Sequence, residues 1–170
     1  MPIYSSPATE VLVVAECWAT EPDADAVIHR AIEAAAALVE TDTSDAELAI
    51  MLTDDDGIRT LNQNWRGIDK PTNVLSFPAL QPPAGVSEPD DMPRMLGDIA
   101  IAYETTRREA DDEEKPFANH LSHLAVHGFL HLIGYDHEKD DEAESMEAME
   151  RKILATLGIS DPYADQDRVT

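Results

Sequence analysis

The chain has 170 residues, of which 35 are acidic and 12 basic, for a net charge of −23. A chain this long buries about two-thirds of its unfolded surface, and its acidity excludes a broad nucleic-acid footprint, which is normally basic. The apolar runs are too short to span a membrane, the first residues do not resemble a secretory signal, and the single cysteine, Cys17, cannot form an intramolecular disulfide. A cytoplasmic protein is expected, with residues 1–163 as one domain and 164–170 as a disordered tail.

In chain order, Glu10 to Ala15 reads as a first strand. Thr20-Glu21-Pro22-Asp23 reads as a helix start, with a capping threonine and a proline in the first turn. That helix runs to about Leu38-Val39 and turns Val27, Ala31, Ala34 and Leu38 inward. Leu48 to Leu52 is a continuous apolar strand, suited to a sheet centre. Thr53-Asp54-Asp55-Asp56 caps a second helix, with Ile58, Leu61 and Trp65 as its buried stripe and Gly67 as its stop. A short strand covers Val74 to Phe77, and a proline-rich loop follows over 78–95. Gly97 to Ala102 is a fourth strand and Tyr103 to Glu114 a polar helix. Pro116 opens an apolar helix that reaches Ile133, and Asp140 to Leu157 is the last helix. The order βαβαββααα predicts an α/β (α+β) fold: a mixed four-stranded sheet packed with helices.

Three of the six histidines lie in His127-x3-His131-x2-Gly134-x2-His137. Residues four apart on a helix share one face, about 6 Å apart along the axis. Gly134 can adopt the left-handed conformation that ends a helix, so His137 can return from the loop. Three imidazoles with one open position are the pattern of a catalytic zinc site, which makes the apolar helix a zincin-like, metal-bearing central helix. A histidine-bearing amphipathic helix with no metal is the plainer alternative. His123 and His120 share the same face one and two turns back. Eight residues, about 12 Å of helix, separate His123 from His131, so His123 is read as lining a cleft rather than holding the ion. Residues 57–80 form a local basic island, with Arg59, Arg66 and Lys70 against Asp69 alone.

The histidine spacing equals that of the metzincin zinc proteases, with one departure. Gly128 stands where those proteases carry the glutamate that accepts a proton, a group worth about 10²–10⁴-fold in rate. A zinc peptidase is therefore the weaker alternative. A phosphodiester substrate suits the site better, because zinc polarises phosphoryl oxygens and arginine binds phosphate in a bidentate fork.

The stretch His127-Gly128-Phe129-Leu130-His131-Leu132-Ile133-Gly134-Tyr135-Asp136-His137 resembles the signature of the YbeY family, bacterial endoribonucleases of ribosomal RNA maturation. Leu61-Asn62-Gln63-Asn64-Trp65-Arg66, Lys70-Pro71-Thr72-Asn73-Val74-Leu75-Ser76-Phe77-Pro78 and Leu96-Gly97-Asp98-Ile99 are similar to other segments of that family. The resemblance implies one zinc ion on His127, His131 and His137. It also implies a role for Arg66 in cleavage, and Lys70 and His123 are added as candidate substrate contacts. The implied partners are single-stranded RNA and the small ribosomal subunit with its immature rRNA, with a part in ribosome quality control. Neither DNA nor a membrane is expected. A ribosome-assembly factor with structural zinc and no essential nuclease activity is the remaining alternative.

Overall fold

The computed structural model describes residues 6–79, 94–136 and 139–163. The tail read as disordered, 164–170, and most of the proline-rich loop lie outside the described residues. The chain forms β1 (Ala8–Val13), a 3-10 turn (Glu16–Thr20), α1 (Ala24–Leu38), β2 (Ala46–Thr53), α2 (Asp55–Arg66), β3 (Val74–Pro78), β4 (Arg94–Ala102), α3 (Tyr103–Asp112), α4 (Phe117–Leu132) and α5 (Asp140–Thr156). This is the expected mixed α/β fold, and it follows the expected order.

The strands are ordered β1-β2-β4-β3. β1, β2 and β4 run parallel, and β3 closes the edge antiparallel to β4. Alternate residues of β2 and β4 point to opposite faces. Leu48, Ile50, Leu52, Ile99 and Ile101 meet Ile28 and Ile32 of α1, Phe129 and Leu130 of α4, and Ile153 of α5 in the main core. Full burial of each such side chain contributes about 1.5–3 kcal/mol. The opposite face holds a smaller cluster of Ile58, Leu75, Ala100 and Ala102.

Several local expectations shift. β1 starts two residues earlier than the apolar run indicated, and β4 starts at Arg94. The early part of β4 escapes a periodicity reading because Leu96 is an extra residue there: Glu47 pairs with Met95, but Leu48 pairs with Gly97. Gly97 has φ +140, and a Cβ there would lie 2.2 Å from the Phe77 carbonyl oxygen. Thr20 does not cap α1, which begins four residues later. Its hydroxyl instead donates to the Cys17 carbonyl and meets the Tyr103 hydroxyl. The fully buried face of α1 centres on Ile28, Ile32 and Ala35, with Val27, Ala34 and Leu38 only half-buried. In α2, Asp54 caps as expected by accepting from the Gly57 N–H at 2.8 Å, and Gly67 ends the helix at φ +71. Trp65 is not on its buried stripe: it is exposed, and Asn62 takes the inward position by donating to the Lys70 carbonyl.

α4 lies close on the sheet because Gly128 has no side chain. A Cβ at Gly128 would stand 3.0 Å from two carbons of Ile99, which is itself fully buried. The Gly128 carbonyl accepts from the Ser76 hydroxyl, tying the helix to the edge strand. At the other end of α4, Glu109 joins α3 to His120 at 2.8 Å and to Asn73 at 2.9 Å. Burial alone would raise the Glu109 carboxyl, but the hydrogen bonds from His120 and Asn73 outweigh it and hold it below its ordinary value of 4.5.

Two outcomes follow from this packing. Gly128→Glu forces a Cβ to 3.0 Å from the buried Ile99 side chain and costs about 1–3 kcal/mol in urea denaturation; a variant as stable as wild type would contradict the close approach. The depressed Glu109 carboxyl contributes stability that is fully present above pH 4.5 and is lost as pH falls through its lowered value. Glu109→Gln therefore flattens the acid limb of a stability-against-pH curve below pH 4.5, and leaves its slope near neutrality unchanged.

Candidate active site

The C-terminal half of α4 turns two histidines away from the sheet. The Nε2 atoms of His127 and His131 lie 3.2 Å apart, with the rings nearly perpendicular. The helix ends as its glycine demands. Gly134 has φ +107, the Tyr135 N–H bonds to the Leu130 carbonyl, and the Gly134 N–H bonds to that of His131. This is the Schellman pattern, and it turns the chain back over the helix end. His127, His131 and Asp136 then line a cleft of about 640 Å³ together with Arg66 from the last turn of α2 and Asn73 and Ser76 beside the edge strand.

Two imidazole nitrogens on one tetrahedral zinc, with bonds near 2.0–2.1 Å, lie about 3.3 Å apart. The His127–His131 pair fits two corners of such an ion. Among the described residues no group of three His, Cys, Asp or Glu side chains converges on one point. His137, the third expected ligand, lies outside the described residues.

A buried carboxylate supports the pair. Glu150 of α5 is wholly inaccessible to solvent. One of its oxygens accepts from His127 Nδ1 at 2.6 Å, and the other from His123 Nε2 at 2.9 Å and from the Tyr163 hydroxyl. Burial alone would raise the carboxyl, but the hydrogen bonds from His123 and His127 bring it down to about 2. An ionised carboxylate only accepts, so His127 carries its proton on Nδ1. In the neutral ring the Nε2 lone pair then points at His131. This carboxylate–histidine arrangement is the one that orients metal ligands. Burial, and then the bond to Glu150, raises the Tyr163 phenol, which keeps its proton as a donor.

The remaining sequence candidates are placed differently. His123 is occupied by Glu150 and lines a second hollow with His120 and Tyr163 rather than the cleft itself. His120 is engaged by Glu109. Lys70 is exposed, and the lining of the main cleft does not include it. Arg59 is paired with Asp69 at 2.6 Å, so of the basic island Arg66 and Lys70 stay without an ion-pair partner among the described residues. Sequence reasoning missed Glu150 and Tyr163. Glu150 did leave a signal, a carboxylate on the inward stripe of α5 between Met146 and Ile153.

Residues 15–158 match the family described as Endoribonuclease YbeY. A protein of that name from Rhodopseudomonas palustris (strain BisB18) is 74% identical over 166 residues, which cover 98% of each chain. Another from Nitrobacter hamburgensis is 77% identical over 163 residues, covering 96% of this chain and 85% of that one. TM1509 from Thermotoga maritima, solved in solution, is 23% identical, with a TM-score of 0.48 over 91% of this chain and 97% of that one. The chain belongs to the YbeY family and is an endoribonuclease, a hydrolase acting on RNA.

Proposed function

We propose that the cleft is the active site of a zinc-dependent endoribonuclease that cuts single-stranded RNA in the maturation of small-subunit ribosomal RNA and in ribosome quality control. His127, His131 and His137 hold one zinc ion, and Arg66 binds the scissile phosphate. The observation that carries this reading is the convergence of the His127 and His131 Nε2 atoms in a cleft that Arg66 also lines.

Bound there, zinc supplies a Lewis acid for a phosphoryl oxygen. The Arg66 guanidinium is planar and always charged, and it matches two phosphate oxygens at once. Glu150 fixes the His127 tautomer, and His123 and Tyr163 in turn fix Glu150. His123 thus acts through Glu150 rather than on substrate. Gly128 supports the nuclease reading over a peptidase on steric grounds. Its position faces Ile99, so any side chain there would crowd the core, and the site has no glutamate at the place where the proteases carry their proton acceptor.

Metal analysis and cleavage of unstructured RNA, run side by side, test the assignment. Arg66→Ala is expected to retain its zinc and to lose about 10²–10³-fold in kcat, whereas His131→Ala loses both. Unchanged cleavage by Arg66→Ala would remove Arg66 from the mechanism. The product ends separate two routes: a 2′,3′-cyclic phosphate with a 5′-hydroxyl requires attack by the ribose hydroxyl, and a 5′-phosphate with a 3′-hydroxyl requires attack by water. Glu150→Gln keeps the fold and weakens zinc about 10–100-fold in competition with a chromogenic chelator. Wild-type affinity in that variant would mean that the buried carboxylate does not tune the ligands.

A further inference from the structure

The two tryptophans have opposite environments. Trp18 is 3% exposed, packs edge-on against Tyr103 and Phe117, and donates its indole N–H to the Thr53 carbonyl. Trp65 is 72% exposed. An indole carries a large apolar surface that proteins ordinarily bury or commit to an interface. Phe77 backs the Trp65 ring, with centroids 6.1 Å apart at 60°, and Phe77 itself packs against the smaller core cluster. The indole is therefore supported from the protein side and open to solvent on the other.

Its location gives that open surface a use. The next residue, Arg66, lines the cleft, as do Leu75, Ser76 and Pro78 on either side of Phe77 in β3. The salt bridge to Asp69 takes up Arg59, so the positive charge next to Trp65 in the chain belongs to Arg66, which has no ion-pair partner among the described residues. An open aromatic ring next to a cation is the chemistry of single-strand recognition: the cation meets the backbone and the ring stacks a base.

We propose that Trp65 is a stacking platform for the base of a nucleotide flanking the phosphate held by Arg66, and that it selects unpaired RNA. A base inside a duplex is already stacked and cannot offer its face. The inference rests on the reading of the cleft as the RNA site. Trp and Arg together also mark protein contacts, but Arg66 of this pair lines the cleft, which favours the substrate itself.

The test uses the zinc-loaded full chain and a fluorescein-labelled oligouridylate, with its duplex with oligoadenylate as control. Trp65→Ala is expected to raise Kd and KM for oligouridylate about tenfold with little change in kcat. Trp65→Phe keeps a stacking face and recovers most of the loss. Duplex binding is the same in all three proteins. Wild-type affinity of Trp65→Ala for oligouridylate overturns the proposal, as does a loss confined to kcat. Reduced binding to immature small subunits with oligouridylate affinity intact also overturns it, by identifying a protein contact. If the wild type binds oligouridylate through Trp65 but does not cleave RNA, the stacking role stands and the active-site assignment fails. If cleavage is normal and independent of Trp65, the stacking role alone fails.

Discussion

The Glu150 carboxylate, ionised and wholly buried, is the constraint around which the site is built. Removing such a group from water costs several kcal/mol unless it is fully hydrogen-bonded. His123, His127 and Tyr163 supply those bonds from three places: two turns of α4 and the segment after α5. The carboxylate therefore fixes how α5 and its C-terminal extension lie against α4. It also fixes a tautomer, since His127 can satisfy Glu150 only with a proton on Nδ1. The same interaction that makes the helix pair specific thus leaves the cleft-side nitrogen with a lone pair.

α4 has to satisfy two neighbours at once. One face must approach the sheet closely enough for Phe129 and Leu130 to fill the main core, and Gly128 allows that approach over Ile99. The other face must hold His127 and His131 with their Nε2 atoms 3.2 Å apart. With 3.6 residues per turn, a residue adjacent to a histidine points about 100° away from it. Gly128 lies against the sheet, with Ile99 3.0 Å from where its Cβ would stand, so its lack of a side chain is a packing requirement. The chemical consequence is that this position offers no carboxylate of its own to the cleft.

Much of this was legible in the residues. The apolar run of β2, the Asp54 cap, the Gly67 and Gly134 stops and the histidine spacing each rest on local rules that tertiary structure had no cause to override. The exceptions have particular causes. The start of β4 was hidden because the Leu96 bulge breaks the alternation that reveals a strand. Trp65 falls on the apolar phase of α2 and so reads as core, yet the last turn of that helix, residues 63–66, is exposed throughout. Glu150 escaped because its partners are 23 and 27 residues away in the chain, and a charge on an inward stripe does not name what it will bind.

The acidity of the chain and its activity on RNA are reconciled by scale. With 35 acidic groups against 12 basic, most of the surface repels a polyanion. At physiological ionic strength, however, charges more than about 8 Å apart are largely screened from one another. What an approaching strand meets is local. Near the cleft, Arg59 is neutralised by Asp69, and Arg66 and Lys70 are the cations left without such a partner among the described residues. So small a positive patch neutralises few phosphates, and little affinity comes from counterion release. Binding then falls to short-range contacts, for which the Arg66 guanidinium in the cleft lining and the exposed Trp65 ring are available. A chain with so large an acidic excess disfavours indiscriminate RNA binding and leaves recognition to a few local groups.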